Sequence, residues 1–563
     1  MKTTHSPARF EYRKPPELIA GGELRVPVAI VGAGPVGIAC AIDLALHGVE
    51  AVVLDDNDTV STGSRAICYA KRTLEILDRL GCASSIVERG VSWNVGKVFH
   101  GDRLAYRFDL LPEGGHKHPA FVNLQQYHLE EAMLARLEAV GGRVRWKNRV
   151  AGAAPDGDGV TLSVETPDGT YRVRADWVIA CDGARSPMRD YLGLEWKGQV
   201  FRDRFLIADV HMAGDYPTER WFWFDPPFHP NQSVLLHRQA DDVWRIDFQL
   251  GWDADPEEEK KPERVVPRIR AMLGDDRPFE LEWVSVYTFQ CRRLDRFVHG
   301  RVLFAGDAAH QVSPFGARGA NSGIQDADNL CWKLARVVRG QAKPALLESY
   351  DAERVAAADE NILNSTRSTD FITPKSPMSR VFRDAVLALA AKHPFARRLV
   401  NSGRLSMPTT YRHSSLDTPD VEGFATTMAP GAPASDAPVH VEGRAAWLLD
   451  QVGGRPAALY FVASDLATRA SDLDRLLRTM GDAAITVVLP AGADRGSIEP
   501  DRLAIVEDTA GMIARRYDAT PGTLYLLRPD QHVAARWRRW DERALVDALR
   551  RMQGQTEAFA RAA

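Results

Sequence analysis

The sequence is poor in cysteine. Six cysteines (Cys40, Cys68, Cys82, Cys181, Cys291 and Cys331) stand singly in 563 residues, with no Cys-x-x-Cys pair, no metal-ligand spacing and none after Cys331. That pattern excludes a disulfide framework and a zinc site and suits a reducing cytoplasm, so no metal is expected. Long hydrophobic runs are missing too: no stretch approaches the roughly 20 apolar residues of a membrane span. The first 25 residues carry Arg9, Arg13, Lys14, Pro15 and Pro16 in place of the apolar segment of a secretory leader. Charge of one sign is also absent, because a net charge of -4 is spread over interspersed acids and bases. Neither nucleic acid nor membrane is therefore an expected partner. There are no internal repeats and no low-complexity tracts.

What is present describes a soluble globular protein, with 45% hydrophobic and 26% charged residues. A chain this long exceeds what one core organises, so two or three domains are expected. VPVAIV from Val26 to Val31 reads as a buried strand, the Ala-rich IACAIDLALHG as a helix, and Glu50 to Leu54 as the next strand: the start of a parallel sheet. Further strands are expected at Gly159–Glu165, Tyr171–Arg174, Phe205–His211, Ser233–His237, Val243–Leu250 and Val302–Ala305, with helices over 322–340 and 344–366. The organisation that follows is an N-terminal arm (1–25), poorly ordered; a nucleotide-binding domain in two parts (26–195 and 297–418); an antiparallel sheet module between them (196–296); a Pro-rich linker (419–438); and a βα-alternating module (439–563).

Three clusters carry the chemistry. Gly32-Ala33-Gly34-Pro35-Val36-Gly37 lies between strand and helix, and Asp55 closes the next strand. In that context Gly32 permits a tight turn, Gly34 lets backbone approach a pyrophosphate, Gly37 allows close helix packing, and Asp55 can accept from an adenosine ribose. By itself this does not separate NAD from FAD. The second cluster, Ile179 to Ser186 with Arg189 beyond, ends a strand in Asp182-Gly183, and Asp182 with Arg185 and Arg189 could form a charged network. In the third, Val302 to His310 delivers Gly306-Asp307 to a loop that runs through Pro314 and Gly316 into a helix opening at Gly319-Ala320-Asn321. Asp307 can accept from ribityl hydroxyls, and the N–H groups near Ala320 and Asn321 can stabilise negative charge on a reduced ring.

In this order and spacing the three clusters resemble those of the class A FAD-dependent aromatic hydroxylases, flavoprotein monooxygenases, nearest the phenol hydroxylase and 3-(3-hydroxyphenyl)propionate hydroxylase branch. The resemblance implies an α/β fold: a glutathione-reductase-type, Rossmann-like FAD domain interleaved with a β-sheet substrate domain, and a thioredoxin-like C-terminal domain that, lacking cysteine, cannot do dithiol chemistry. It implies FAD as cofactor, NADH or NADPH as a transient reductant, O2 and a small aromatic compound as substrates, and often a homodimer. It also implies FAD contacts at Gly32, Gly34, Gly37, Asp55, Arg65, Gln126, backbone near Val150, Asp182, Gly306, Asp307, Gly319, Ala320 and Asn321. Pro314 would lie against the flavin where oxygen reacts.

Hydroxylating a ring with O2 needs an activated oxygen such as a flavin hydroperoxide, which side chains cannot supply. A phenol reacts better as phenolate, so a base or relay should address it. Some relatives carry an Asp two residues after the arginine matched by Arg65; this chain has Ile67. Substitutes are sought on the second module: His237, Arg238 and Arg245 near a substrate carboxylate, Trp223 for ring contact, Tyr287 for the phenol, with His237, Tyr287 and Pro314 closest to the chemistry. Since the inward strand face cannot be fixed from sequence, a solvated or paired role stands beside each. Three alternatives stay open: a hydroxylase of larger polycyclic substrates; a flavin halogenase, whose Trp-x-Trp-x-Ile-Pro segment Trp221 to Pro226 partly resembles; and a catalytically silent flavin-binding protein.

Overall fold

The computed structural model describes residues 6–212, 214, 217–400, 405, 407–463, 470–493 and 503–555. Its first sheet has a parallel core in the order Val302–Phe304, Gly169–Ala180, Glu23–Val31, Ala51–Leu54, Val144–Arg145. Layers on both faces make Val28 to Ile30 fully buried, which is why this strand reads as a continuous apolar run. The chain leaves this sheet after Ala180, builds a second sheet, and returns at Val298, whose short strand pairs with Val302–Phe304. Register then sets the site: Val31 lies opposite both Leu54 and Ala180, and Ala180 opposite Phe304. Four strands thus end level, and the Gly32, Asp55, Asp182 and Gly306 loops leave side by side, the arrangement that puts ligands beyond the carboxyl ends of a parallel sheet.

The second sheet runs His310–Gln311, Glu280–Leu294, Trp196–His211, Val243–Leu250, Ser233–Arg238, Arg220–Phe224, Val95–His100, Arg103–Asp109. Alternation gives it two different faces. Leu206, Val234, Leu236, Trp244, Ile246 and Phe248 pack under Val265 and Ile269 of the Pro262–Leu273 helix. Phe205, Phe222, Phe224, Leu235 and Phe289 point the other way and meet Phe315 of the loop after Asp307. The hairpin of Val95–His100 and Arg103–Asp109 belongs to this sheet, although the sequence pattern confined the module to 196–296.

The third sheet has the order Arg444–Trp447, Pro438–Val441, Leu503–Asp508, Ala484–Pro490, Ala457–Phe461, Leu524–Leu527, Val533–Trp537. Glu542–Met552 covers one face and Met512–Tyr517 the other. Residues 419–437 contain no helix or named strand. The module is fastened to the first by buried charge. Arg528 pairs with Glu353 at 2.7 Å and with Asp530 at 2.6 Å; Trp332 donates to Asp530, and Arg72 donates to the Asp530 carbonyl and pairs with Asp328. Lys333 completes it on Glu353 at 2.8 Å. Breaking such a pair leaves an uncompensated buried charge, so the network locks one arrangement of the modules.

The N-terminal arm is not loose over its described part. Phe10 stacks on Trp146 at 4.5 Å, Glu17 pairs with Arg145 at 2.9 Å, and Pro16–Ala20 forms a short helix. The apolar and charged partners lie far along the chain, which hid this docking from a local reading; residues 1–5 of the arm and 556–563 of the last module lie outside the described residues.

Candidate functional site

The glycine-rich turn is shaped by steric need at two positions. Gly32 has φ 101°, and a Cβ there would sit 2.5 Å from the Cys181 carbonyl oxygen; one on Gly37 would sit 1.9 Å from the Gly32 oxygen. Gly34 is different: a Cβ would meet nothing within 4 Å, so open space lies where a pyrophosphate would approach. Gly34 is also the N-cap of the Pro35–Leu46 helix and no side chain caps it, so the end of the helix dipole is free for an anion. Asp55 braces the turn from below, accepting from Ala33 N at 2.6 Å and from Asn57 N at 2.9 Å. Val150 begins beside it, since Asn148 N donates to the Asp55 carbonyl; the Val150 carbonyl accepts from the Tyr191 hydroxyl.

The other two loops adjoin this turn. Cys181 N donates to the Val31 carbonyl and Ala305 N to that of Ala180. A Cβ on Gly306 would press on Val36 at 2.9 Å, so glycine lets the Asp307 loop close against the first helix. Gly306 N is held by Asp326, which Arg354 and His310 also engage. The Asp307 carboxylate is exposed and, among the described residues, receives no hydrogen bond; the protein around it pushes its pKa up, against the charges of His310 and Arg65. Asp182 gives one oxygen to Met188 N at 2.9 Å, while its buried Oδ1 has no partner. No hydrogen bond or ion pair joins Asp182 to Arg189: Arg189 lies over the Trp196 ring at 4.2 Å, donates to the Ala184 carbonyl, and acts on Asp182 only through its charge. Arg185 is exposed.

The helix Gly319–Val338 has no side-chain cap at its start. Buried Asn321 instead ties that end to the Cys68–Ala70 strand, accepting from Ala70 N and donating to the Cys68 carbonyl, both at 2.8 Å. Gly319 and Ala320 are half-buried beside it, and Pro314 is exposed at the bend of the preceding loop. Gln126 accepts from Ala66 N at 3.0 Å, fixing the loop that presents exposed Arg65. An open pyrophosphate approach, an orphaned buried oxygen on Asp182, a carboxylate without a donor on Asp307 and two uncapped helix starts together fit FAD.

The substrate face departs from the sequence reading in three places. Trp223 turns outward, stacked on Phe99 at 5.1 Å within the cluster under the outer helix, so Phe222 and Phe224 and not the tryptophans face the flavin loops. Arg238 also points out, paired with Asp242 at 3.1 Å. Arg245 does face inward, but its guanidinium is engaged by Asp247 at 2.9 Å and by the Ser64 carbonyl at 2.6 Å, so it holds the Arg65 loop instead of standing free for a carboxylate. Trp223 and Arg238 share one cause, since strand alternation gives two phases and only packing against the first domain chooses between them; Arg245 has the right phase and is taken by its neighbours.

His237 and Tyr287 are on the inward face. His237 is buried beside Arg245 in register, its Nδ1 has no partner, and burial together with the charges of Arg220 and Arg245 keeps its pKa well below the usual value. Tyr287 lies opposite Phe205 and packs in the inner aromatic cluster. Sequence reasoning missed Asp209, whose buried carboxylate accepts from the Ser64 hydroxyl and from Gln239; burial pushes it up to about 7. It also missed a cavity walled by Tyr106, Phe108, Phe222, Phe224 and Phe315, with Arg220 on its lining. The Arg-x-Phe-x-Phe alternation of 220–224 was the available signal, but its phase was not.

Loops that fit FAD, one of which also walls an aromatic cavity through Phe315 and Gly316, define the class as a flavin-dependent monooxygenase. Comparison with known proteins agrees: the model of the FAD binding domain family matches residues 25–365, and that of the HcaD C-terminal domain residues 435–552. The chain is 32% identical to 6-methylpretetramide 4-monooxygenase of Streptomyces rimosus, covering 91% of each chain. It is 29% identical to 3-(3-hydroxy-phenyl)propionate/3-hydroxycinnamic acid hydroxylase of Mycolicibacterium smegmatis, covering 90% of each. Its fold matches that of the flavin-dependent monooxygenase PieE, solved with FAD and substrate, at a TM-score of 0.78 and 22% identity over 95% of this chain and 100% of the other. The chain belongs to the FAD-binding family of flavoprotein aromatic hydroxylases.

Proposed function

We propose that the protein hydroxylates a phenolic acid of one aromatic ring, using NADH or NADPH and O2. The observation that carries this is the aromatic cavity, because Phe315 and Gly316 wall it and belong to the same loop as Asp307 and Pro314. Bound FAD, once reduced by the nicotinamide, supplies the oxygen activation that side chains cannot. Gly32, Gly34, Gly37, Asp55 and the Val150 backbone hold its adenosine and pyrophosphate; Asp182, Asp307, Arg65, Gln126 and the Gly319–Asn321 helix start address the remainder. The phenylalanines exclude water and hold the ring. His237, neutral and buried, can take a phenol proton at Nδ1, and the cationic flank of Arg220 and Arg245 favours the phenolate that results. Tyr287 can donate to that oxygen.

The 435–552 module reads as thioredoxin-like: Ala484–Pro490, Ala457–Phe461, Leu524–Leu527 and Val533–Trp537 lie in that order, paired parallel, antiparallel, antiparallel. With no cysteine its role is structural, through Arg528. Six free thiols support a cytoplasmic setting. A larger fused-ring phenol is the second reading, favoured by the relative that acts on 6-methylpretetramide. The deciding experiment follows NADH and NADPH consumption against phenolic acids and fused-ring phenols and weighs the products. Oxygenated single-ring acid supports the proposal; oxidation without an oxygenated product, or turnover of fused rings alone, overturns it.

A further inference from the structure

The cavity has a charge that the chemistry above does not use. Three cations line it, Lys97, Arg220 and Arg318, and its lining contains no carboxylate. Two of them are occupied. Lys97 pairs with Glu219 at 2.7 Å, and Arg318 donates to the Phe315 carbonyl at 2.9 Å. Arg220 differs: it is partly buried, its neighbours lower its pKa by desolvation, and among the described residues no hydrogen-bond acceptor or acid engages its guanidinium. Close by, the Tyr106 hydroxyl is buried on the same cavity without a partner, and the charge of Arg220 acts on it. A buried phenol hydroxyl without a partner is costly, and the guanidinium beside it, which opens on the cavity and feels Asp247 only through its charge, is left free to take a ligand with it. Both groups can donate, and an oxyanion is the partner that satisfies both at once.

We propose that Arg220 and Tyr106 form the anion end of the substrate cavity and bind the carboxylate of the aromatic acid, Arg220 by a charge-assisted pair and Tyr106 by a hydrogen bond. This assigns to Arg220 the task that the strand pattern had placed on Arg238 and Arg245, both of which protein acceptors occupy. It rests on reading this cavity as the substrate site. It also makes the enzyme selective: an uncharged analogue leaves the cationic end of the cavity without a counter-charge, so acids are preferred over neutral phenols of equal size.

The test separates binding from turnover. The FAD-loaded protein, its Arg220→Gln, Arg220→Lys and Tyr106→Phe variants are titrated with 3-phenylpropionate and with 3-phenylpropionamide, which differ only in charge, and binding is read from the flavin absorbance change. The unmodified protein is expected to prefer the acid by about 10- to 100-fold, the range of a charge-assisted contact. Arg220→Gln should bring the acid-to-amide ratio near one, Arg220→Lys should restore part of it, and Tyr106→Phe should reduce it by about 3- to 10-fold. Retained flavin absorbance shows that each variant is folded around its cofactor. A ratio in Arg220→Gln equal to that of the unmodified protein, or no preference for the acid in the unmodified protein, overturns the assignment. If the selectivity behaves as expected while no phenolic acid is oxygenated, the anion site stands and the proposed reaction falls; if phenolic acids are oxygenated and the ratio ignores Arg220, the reverse holds.

Discussion

Replacing Asp209 by Asn tests the electrostatics beneath the Arg65 loop. Asp209 is buried, with the Ser64 hydroxyl and Gln239 as donors, and burial raises its carboxyl from 3.8 to about 7, with Arg245 and Ser64 only partly offsetting. A carboxyl raised in the folded state binds its proton more tightly there than in the unfolded chain. Below about pH 4 both states are protonated and it costs nothing. As pH rises the unfolded chain ionises first and stability falls by about 1.4 kcal/mol for each tenfold drop in proton concentration, until above pH 7 the full cost of about 4 kcal/mol applies. Between pH 5 and pH 8 the same linkage predicts a loss of about 2.5 kcal/mol that is specific to this group. Asn cannot ionise; its Oδ1 accepts from Gln239 and its Nδ2 donates to the Ser64 hydroxyl oxygen, which can accept. The thermal midpoint of Asp209→Asn, followed by flavin fluorescence, should therefore exceed that of the unmodified protein by a margin that widens by about 2 °C from pH 5 to pH 8. Parallel midpoint curves across that range would refute the reasoning.

Two further outcomes follow from the geometry. Gly37→Ala places a methyl 1.9 Å from the Gly32 oxygen, a backbone atom that cannot rotate away, so the turn must open; FAD content after purification should fall well below one per chain, with about 3 kcal/mol lost in stability, and a normal FAD ratio would contradict the assignment of this turn. Arg528→Met leaves Glu353 and Asp530 buried with fewer partners, at a cost of about 3–5 kcal/mol, and flavin release should occur at a lower temperature because Glu353 lies on the Glu348–Ile372 helix, which packs against Gly319–Val338; an unchanged release temperature would show that the third module is held by other contacts.

The sequence by itself determined the parts that local rules control. The strand ending at Val31, the three glycines and Asp55 were legible because a tight turn between strand and helix tolerates few residues, and the Gly306 to Asn321 stretch for the same reason. Val243–Leu250 was located to the residue, as its alternation is unbroken. Only tertiary structure decided which face of that strand looks at the flavin loops, since a period of two fits either face until something packs on one. It placed Trp223 outside and Phe222 inside, gave Arg245 to Asp247 and the Ser64 carbonyl, and left Arg220 without an ion pair among the described residues. It also brought the 95–109 hairpin to the second sheet, more than a hundred residues from its partner strand at 220–224. Pairings across such distances depend on how the whole chain closes, and no local pattern of residues records that.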